Sequence, residues 1–483
     1  MKGHFLTSLL ACIAIGLEAQ NIPASPRLVV GIVIDQLSGN LLEDYKPYYG
    51  EKGFRRLLRE GRVWREAEYD FVSPDRASAA ASVYTGAVPF SNGIPAGSWM
   101  DRGLLQNVDC VDDRDYIGIY TSQHSSAARL KVSTLVDELM ASTQGRSLSY
   151  SVAPHRDLAI MGAGHAASGA YWINKSSGMW CGSTYYGSFP SWMSRYNDEN
   201  GPQKRTSSKK STAYSGFVSG TGVNYEVNRL ISLLLSRTQL GRDNEPDMLA
   251  IGYNAGSTRE SYVDLDRALA SLLEILERHV GMRNTLVFIT STGASAAGES
   301  QMPTSCRVPG GDFYINRCAA LLNMYLGAVY GEGRYVETYS DQEIYLNHRL
   351  LEQRQLDRTE VLAKSADFLI QFSGVGDVYT SRRVMLGGWT PRLEKIRNKY
   401  NRQCSGDIYI DVLPGWTVHN DHSKSKRVVR HACVTVPVIF YGWAVRPDVC
   451  DAPVSMGFVA PTVARAMRIR APNAASGRSK RLK

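Results

Sequence analysis

The sequence predicts an α/β fold built around a mostly parallel sheet, and three observations carry that prediction. Leu28–Asp35 (LVVGIVID) is a continuous apolar run ending in a carboxylate, the pattern of a strand buried on both faces. Residues 247–252 (DMLAIG) and 284–290 (NTLVFIT) repeat it. Between those two, residues 262–280 place Leu265, Leu269, Leu272, Leu273 and Leu276 on one helical face. Strand, helix and strand at this spacing form a βαβ unit, which requires parallel strands. Asp35 then falls at the carboxyl end of its strand, where open α/β sheets hold their ligands.

Taken in order, residues 1–19 read as a signal peptide: one Lys, an apolar run from Phe5 to Leu17, and a small residue at Ala19 for cleavage. The protein is therefore expected to be exported, periplasmic or secreted. Leu9-Leu10-Ala11-Cys12 also resembles a lipoprotein box, which makes Cys12 a possible lipid anchor. No later segment reaches the roughly 18 apolar residues of a transmembrane span. Residues 53–61 (GFRRLLREG) predict a short helix with a glycine stop. Ser73-Pro74-Asp75 suits a helix start, and the small residues that follow (Ala77, Ser78, Ala79, Ala80, Ala81, Ser82) allow close packing against a neighbouring backbone. Such a helix start at a strand end is also a common anion site.

Residues 148–152 and 159–161 predict short strands, and residues 197–218 a polar, exposed excursion. Residues 301–404 hold helical patterns at 317–326 and 359–372 with short strands near Arg334 and Val378, an α+β insertion or cap. Residues 407–412 and 434–440 are expected to return to the main sheet, and residues 458–464 to start a last helix. The organisation that follows is a core of residues 27–300 and 405–474, the cap at 301–404, and a basic tail at 475–483.

Seven cysteines remain beyond the leader (Cys110, Cys181, Cys306, Cys318, Cys404, Cys433 and Cys450), and an oxidising compartment predicts disulfides among them. Their spacing matches no structural zinc motif. The formal charge of +9 points to nucleic acid only until it is located. Residues 465–483 carry seven Lys and Arg and no acidic residue, so most of the excess is a solvated tail, and no nucleic-acid partner is expected.

Several segments in register then carry a resemblance: VVGIVIDQ (29–36), YTGAVPFSNGI (84–94), SWMD (98–101), GAGHAASGAYW (162–172), YVDLDRALA (262–270), GDIYIDVLPGW (406–416) and VPVIFYGW (436–443). Together they resemble the alkaline phosphatase superfamily, in particular the secreted threonine-nucleophile alkaline phosphatases related to the phosphodiesterase/nucleotide pyrophosphatase branch. The resemblance implies a three-layer sandwich with two zinc ions at the carboxyl edge of the sheet. It also implies a Thr at a helix N-terminus that attacks phosphorus.

Carried over position by position, the resemblance gives an altered site. Asp35 matches a zinc-ligand position. The nucleophile position falls on Arg76, which offers no lone pair. The phosphate-binding Asn falls on Gly97, and the Lys-x-Arg phosphate clamp on His155 and Asp157, where an Asp is expected to repel a phosphate dianion. An Asp-His ligand pair becomes Thr292-Gly293, a ligand before Val-Pro becomes Thr435, and His422 is the one further candidate ligand. Ser73, Asp75, Ser78 and His165 complete the polar groups near this site. The expected reading is a pseudophosphatase: a non-catalytic binding or scaffold protein with an unknown ligand or protein partner and no cofactor. Its alternative is a metal-dependent phosphomonoesterase or phosphodiesterase-type hydrolase with altered residues and two zinc ions. In the metal-free reading Arg76 is expected to pair with Asp35, its guanidinium standing in for the lost metal charge, because an unpaired buried carboxylate costs several kcal/mol.

Overall fold

Alternation along one strand organises the protein. In β1 (Leu28–Asp35), Val29 and Val33 point into one apolar core and Leu28, Val30, Ile32 and Ile34 into another. Every residue of β1 is buried, so helices must cover both faces. The structure is a computed structural model that describes residues 25–104, 106–204, 211–293, 310–420, 425–429 and 435–483. Residues 1–19 with Cys12, and also Cys306, His422 and Cys433, lie outside the described residues.

The main sheet contains β2 (Arg62–Glu68), β3 (Ser149–Val152), β4 (Gly169–Ile173), β5 (Asp247–Asn254), β6 (Thr285–Ser291) and β7 (Thr435–Gly442) beside β1. Its central order is β2-β7-β6-β1-β5-β3-β4. Strands β6, β1, β5, β3 and β4 run parallel, and β7 pairs antiparallel with both β6 and β2. At Gly31 in β1, an added Cβ would stand 2.3 Å from Phe288 Cζ, so the aromatic ring of β6 occupies the space that a side chain would need.

One helical layer holds α1 (Arg76–Thr85) and α2 (Arg156–Ala163) side by side, with Val459–Met467 beyond. The other holds Phe54–Glu60, Val223–Arg237 and Arg259–His279. The α1 start is a reciprocal cap: Asp75 accepts from Ser78 N at 2.9 Å, and Ser78 Oγ accepts from Asp75 N at 3.0 Å. Gly86 ends α1 at φ +66°. The expected strand at 159–161 is instead part of α2. An apolar run this short carries no period to distinguish the two. Gly162 shows the packing, since a Cβ there would lie 2.8 Å from the Ala250 Cβ on β5.

The cap has its own core, running from Phe313 through Leu322, Tyr335, Ile344 and Leu369 to Val418. Its antiparallel sheet is ordered Val336–Ser340, Glu343–Leu346, Ile408–Val412, Val375–Thr380. Residues 407–412 therefore do not rejoin the main sheet as expected. Their apolar alternation fits either sheet, and pairing with Glu343–Leu346 decides it. The chain re-enters the main sheet at Thr435.

Two other expectations are corrected. The described cysteines Cys110, Cys181, Cys318, Cys404 and Cys450 are free thiols, and the first four are buried. The basic segment 475–483 keeps Arg478, Lys480, Arg481 and Lys483 exposed as expected, but its backbone is docked on the core. Ser476 N donates to Gly86 O at 3.1 Å, Lys480 N to Thr462 Oγ1 at 2.9 Å, and Arg446 N to Leu482 O at 2.9 Å. Leu482 is buried, and Gly477 touches the Gly457 backbone so closely that a Cβ would overlap it at 2.2 Å. No helix among the described residues is long and apolar enough to cross a membrane.

Candidate active site

Helices α1 and α2 both start at the carboxyl edge of the sheet, α2 directly after β3, and both N-termini open into one cleft of about 1030 Å³. Asp35, Arg76, Gly97, His155 and Asp157 all line it. The cap supplies the facing wall through Thr338, Ser340, Glu343 and Lys399.

The floor is an ion network around one guanidinium. Arg76 Nη1 donates to Asp35 Oδ2 at 3.2 Å, and Arg76 Nε is shared between the two oxygens of Asp157 at 2.9 and 3.0 Å. Thr292 Oγ1 donates to Asp35 Oδ1 at 2.8 Å and accepts from Gln36 N at 3.1 Å. Arg76 Nη2 has no partner among the described residues. The Asp at 157, read as an obstacle to a phosphate dianion, thus has a definite role in fixing the plane of Arg76. Leu158 N also donates to it, and two helix N-termini favour negative charge here.

The two carboxylates are driven apart. Burial raises the Asp35 carboxyl above its usual range, against the opposing pull of Arg76 and Thr292. Burial works the same way on Asp157, but the Arg76 guanidinium outweighs it and holds that group at about 2. His155 is pushed down to about 3, first by burial and then by Arg76, so its ring is neutral at physiological pH.

Gly97 N donates to Asp75 Oδ2, and a Cβ at Gly97 would lie 3.4 Å from that oxygen and 4.0 Å from Asp157 Oδ2. The position does face the site. Asp75 and Ser78 are spent on each other in the α1 cap. His165 is held between Asp137 Oδ2 at 2.8 Å and Leu130 O at 2.9 Å, a structural arrangement away from the cleft. Gly293 turns at φ +76° against Tyr69 and Val436, and Thr435 starts β7 opposite Glu68; neither lines the cleft.

Sequence reasoning missed Lys175, Glu343, Lys399 and Arg156. Arg156 had a signal, since it lies between His155 and Asp157; it pairs with Asp112 at 2.9 Å and with Asp109. Glu343 and Lys399 had none, because they come from the cap. Among the described residues no three His, Cys, Asp or Glu side chains gather as a metal site, and Asp35 is already engaged by Arg76 and Thr292.

Residues 29–433 match the family described as type I phosphodiesterase / nucleotide pyrophosphatase. The chain is 27% identical to alkaline phosphatase PhoV of Synechococcus elongatus, over 94% of this chain and 92% of that protein. It is 25% identical to alkaline phosphatase PafA of Elizabethkingia meningoseptica, over 96% and 95%. The crystal structure of wild-type PafA shares the fold with a TM-score of 0.85 at 24% identity, covering 94% of this chain and 98% of that one. These relatives are phosphoric ester hydrolases along nearly their whole length, which overturns the expectation of a non-catalytic binding or scaffold protein. That expectation weighed single positions against the family pattern, whereas the likeness extends over the whole chain and a charged cleft remains at the sheet edge. The chain belongs to the type I phosphodiesterase / nucleotide pyrophosphatase family, within the alkaline phosphatase superfamily.

Proposed function

We propose that the protein is a phosphoric ester hydrolase of the alkaline phosphatase kind working with an altered set of residues. The observation that supports this most is the coincidence of full-length likeness to alkaline phosphatases with a polar cleft over Asp35, Arg76 and Asp157. In this reading an anionic ester oxygen binds the unpartnered Nη2 of Arg76, since a guanidinium suits phosphoryl oxygens. Asp157 stays ionised and keeps that guanidinium oriented. Asp35 is the general base: water attacks phosphorus, its proton passes to the Asp35 carboxylate, and the ester P–O bond breaks. The departing oxygen leaves as the alkoxide or phenolate and takes its proton from solvent, to which Asp35 returns the one it accepted. Two carboxyls with opposite shifts around one site are the pattern expected of such a division of labour.

The purified protein should hydrolyse p-nitrophenyl phosphate or bis-p-nitrophenyl phosphate, with turnover rising as pH climbs through the raised Asp35 value. Asp35→Asn should lower turnover by about a hundredfold or more, the usual weight of a general base. Absence of turnover with both esters would overturn the reading. Turnover abolished by a chelator would instead assign Asp35's role to a metal.

A further inference from the structure

The cap grips the scaffold of the site along one helix face. Helix α3 (Pro391–Lys399) starts at Thr390, whose Oγ1 accepts from Leu393 N. Lys395, Asn398 and Lys399 lie within one turn of each other on it, and all three reach the same stretch, the chain that runs from β2 into α1. Lys395 Nζ pairs with Glu68 Oε2 at 3.2 Å, Asn398 Nδ2 donates to Asp70 O at 2.8 Å, and Lys399 Nζ donates to Ser73 O at 3.2 Å. Val72 N returns a bond to Lys395 O at 3.3 Å, and its side chain packs with Tyr379, Val384, Leu393, Ile396 and Tyr409.

Ser73 is the strained point of that stretch. Its φ is +47°, a conformation that residues other than glycine hold only when their surroundings impose it. It lines the cleft, and Arg76 follows three residues later as the first residue of α1. Lys399 is 9% exposed and also lines the cleft, so its ammonium reaches Ser73 from within the site rather than from solvent.

We propose that Lys399 is a positioning residue for the reaction: by holding the Ser73 carbonyl it fixes the left-handed Ser73 backbone, and with it the place where α1 presents Arg76 to the ester. The proposal rests on the hydrolase reading above. Lys399 makes and breaks no bond; it acts through Ser73.

The test compares Lys399→Met, which keeps the stem and removes the donor, with two rescues. Misplacing a binding group by a fraction of an ångström is costly, so Lys399→Met should lower kcat on p-nitrophenyl phosphate about tenfold. Lys399→Arg should recover most of it. Adding Ser73→Gly to Lys399→Met should also recover it, because glycine takes a positive φ without a clamp. Hydrogen exchange of residues 72–78 should rise in Lys399→Met, relative to wild type, whether or not an ester is turned over. A Lys399 with a merely structural role would lower the melting temperature and show no rescue by Ser73→Gly, which would overturn the proposal. Unchanged exchange and unchanged kcat would overturn it as well. Should Lys399→Met not fold, Lys399→Gln takes its place with the same outcomes. Wild-type protein inactive on both esters would refute the hydrolase reading, while the exchange comparison would still decide whether Lys399 fixes this segment.

Discussion

His155 sits 4% exposed beside Arg76, and its neutrality has a measurable consequence. Its folded value of about 3 lies below the ordinary imidazole value near 6.5, so the unfolded chain takes up the proton first as pH falls. The stability it contributes is complete above about pH 6.5 and is lost as pH drops through the folded value. One proton corresponds to a slope of about 1.4 kcal/mol per pH unit. Denaturant unfolding between pH 6 and pH 4 should show that slope in the wild type and lose it in His155→Gln. Asp157, held at about 2, adds a second loss in a different window, from about pH 4 down to 2. At this scale the sequence was informative for Asp35, Arg76, Gly97, His155 and Asp157, because a resemblance in register locates positions. It was silent on what those residues do to one another. Asp157 read as an obstacle to phosphate, and only its 2.9 and 3.0 Å contacts to Arg76 Nε show it to be an anchor.

Single strands and helices differ in how much of themselves they disclose. The run Leu28–Asp35 announced a doubly buried strand because seven apolar or glycine positions in succession suit no solvated element. Gly31 within it is fixed by contact: an alanine methyl would meet the Phe288 ring, itself held edge-on by Tyr84 and tilted against Phe440. Gly31→Ala should therefore cost about 1–3 kcal/mol, the range for overpacking a filled core, read as a lowered midpoint in urea with an unchanged slope. A neutral result would show that the ring can yield. The α2 helix and the strand at 408–412 were misread for one reason. Each is a short apolar run whose type or partner is set by tertiary packing, against β5 in the first case and against Glu343–Leu346 in the second. The cap's contribution to the cleft was equally invisible. Lys399 approaches Ser73 across more than three hundred residues of chain, and nothing local in either segment signals the other.

Across the whole molecule, segments remote in sequence close on each other. The stretch 475–483 binds the loop after α1, the helix Val459–Met467 and, through the Arg62 Nη1 bond to Arg481 O, the start of β2 in the main sheet. Composition described it as a charged tail, since its Lys and Arg side chains are what the sequence displays, whereas its backbone and Leu482 make the contacts. Ending the chain after residue 474 should lower the melting temperature by several degrees. It should leave turnover per folded molecule within about twofold, because none of these contacts reaches the cleft. A variant of unchanged stability would show that the docking contributes nothing.

The order of the sheet sets a timetable for biosynthesis. The two neighbours of β1 are β5 and β6, and β1 pairs its residues 28–35 with 247–254 on one side and its residues 28–34 with 285–291 on the other. At translation rates of about 5–20 residues per second, more than two hundred residues take roughly 10–40 s to emerge. Throughout that interval LVVGIVI is a complete apolar strand with neither edge satisfied, the kind of segment that chaperones bind and that pairs with copies of itself. The residue at its end, Asp35, joins the site only after this exposed period is over.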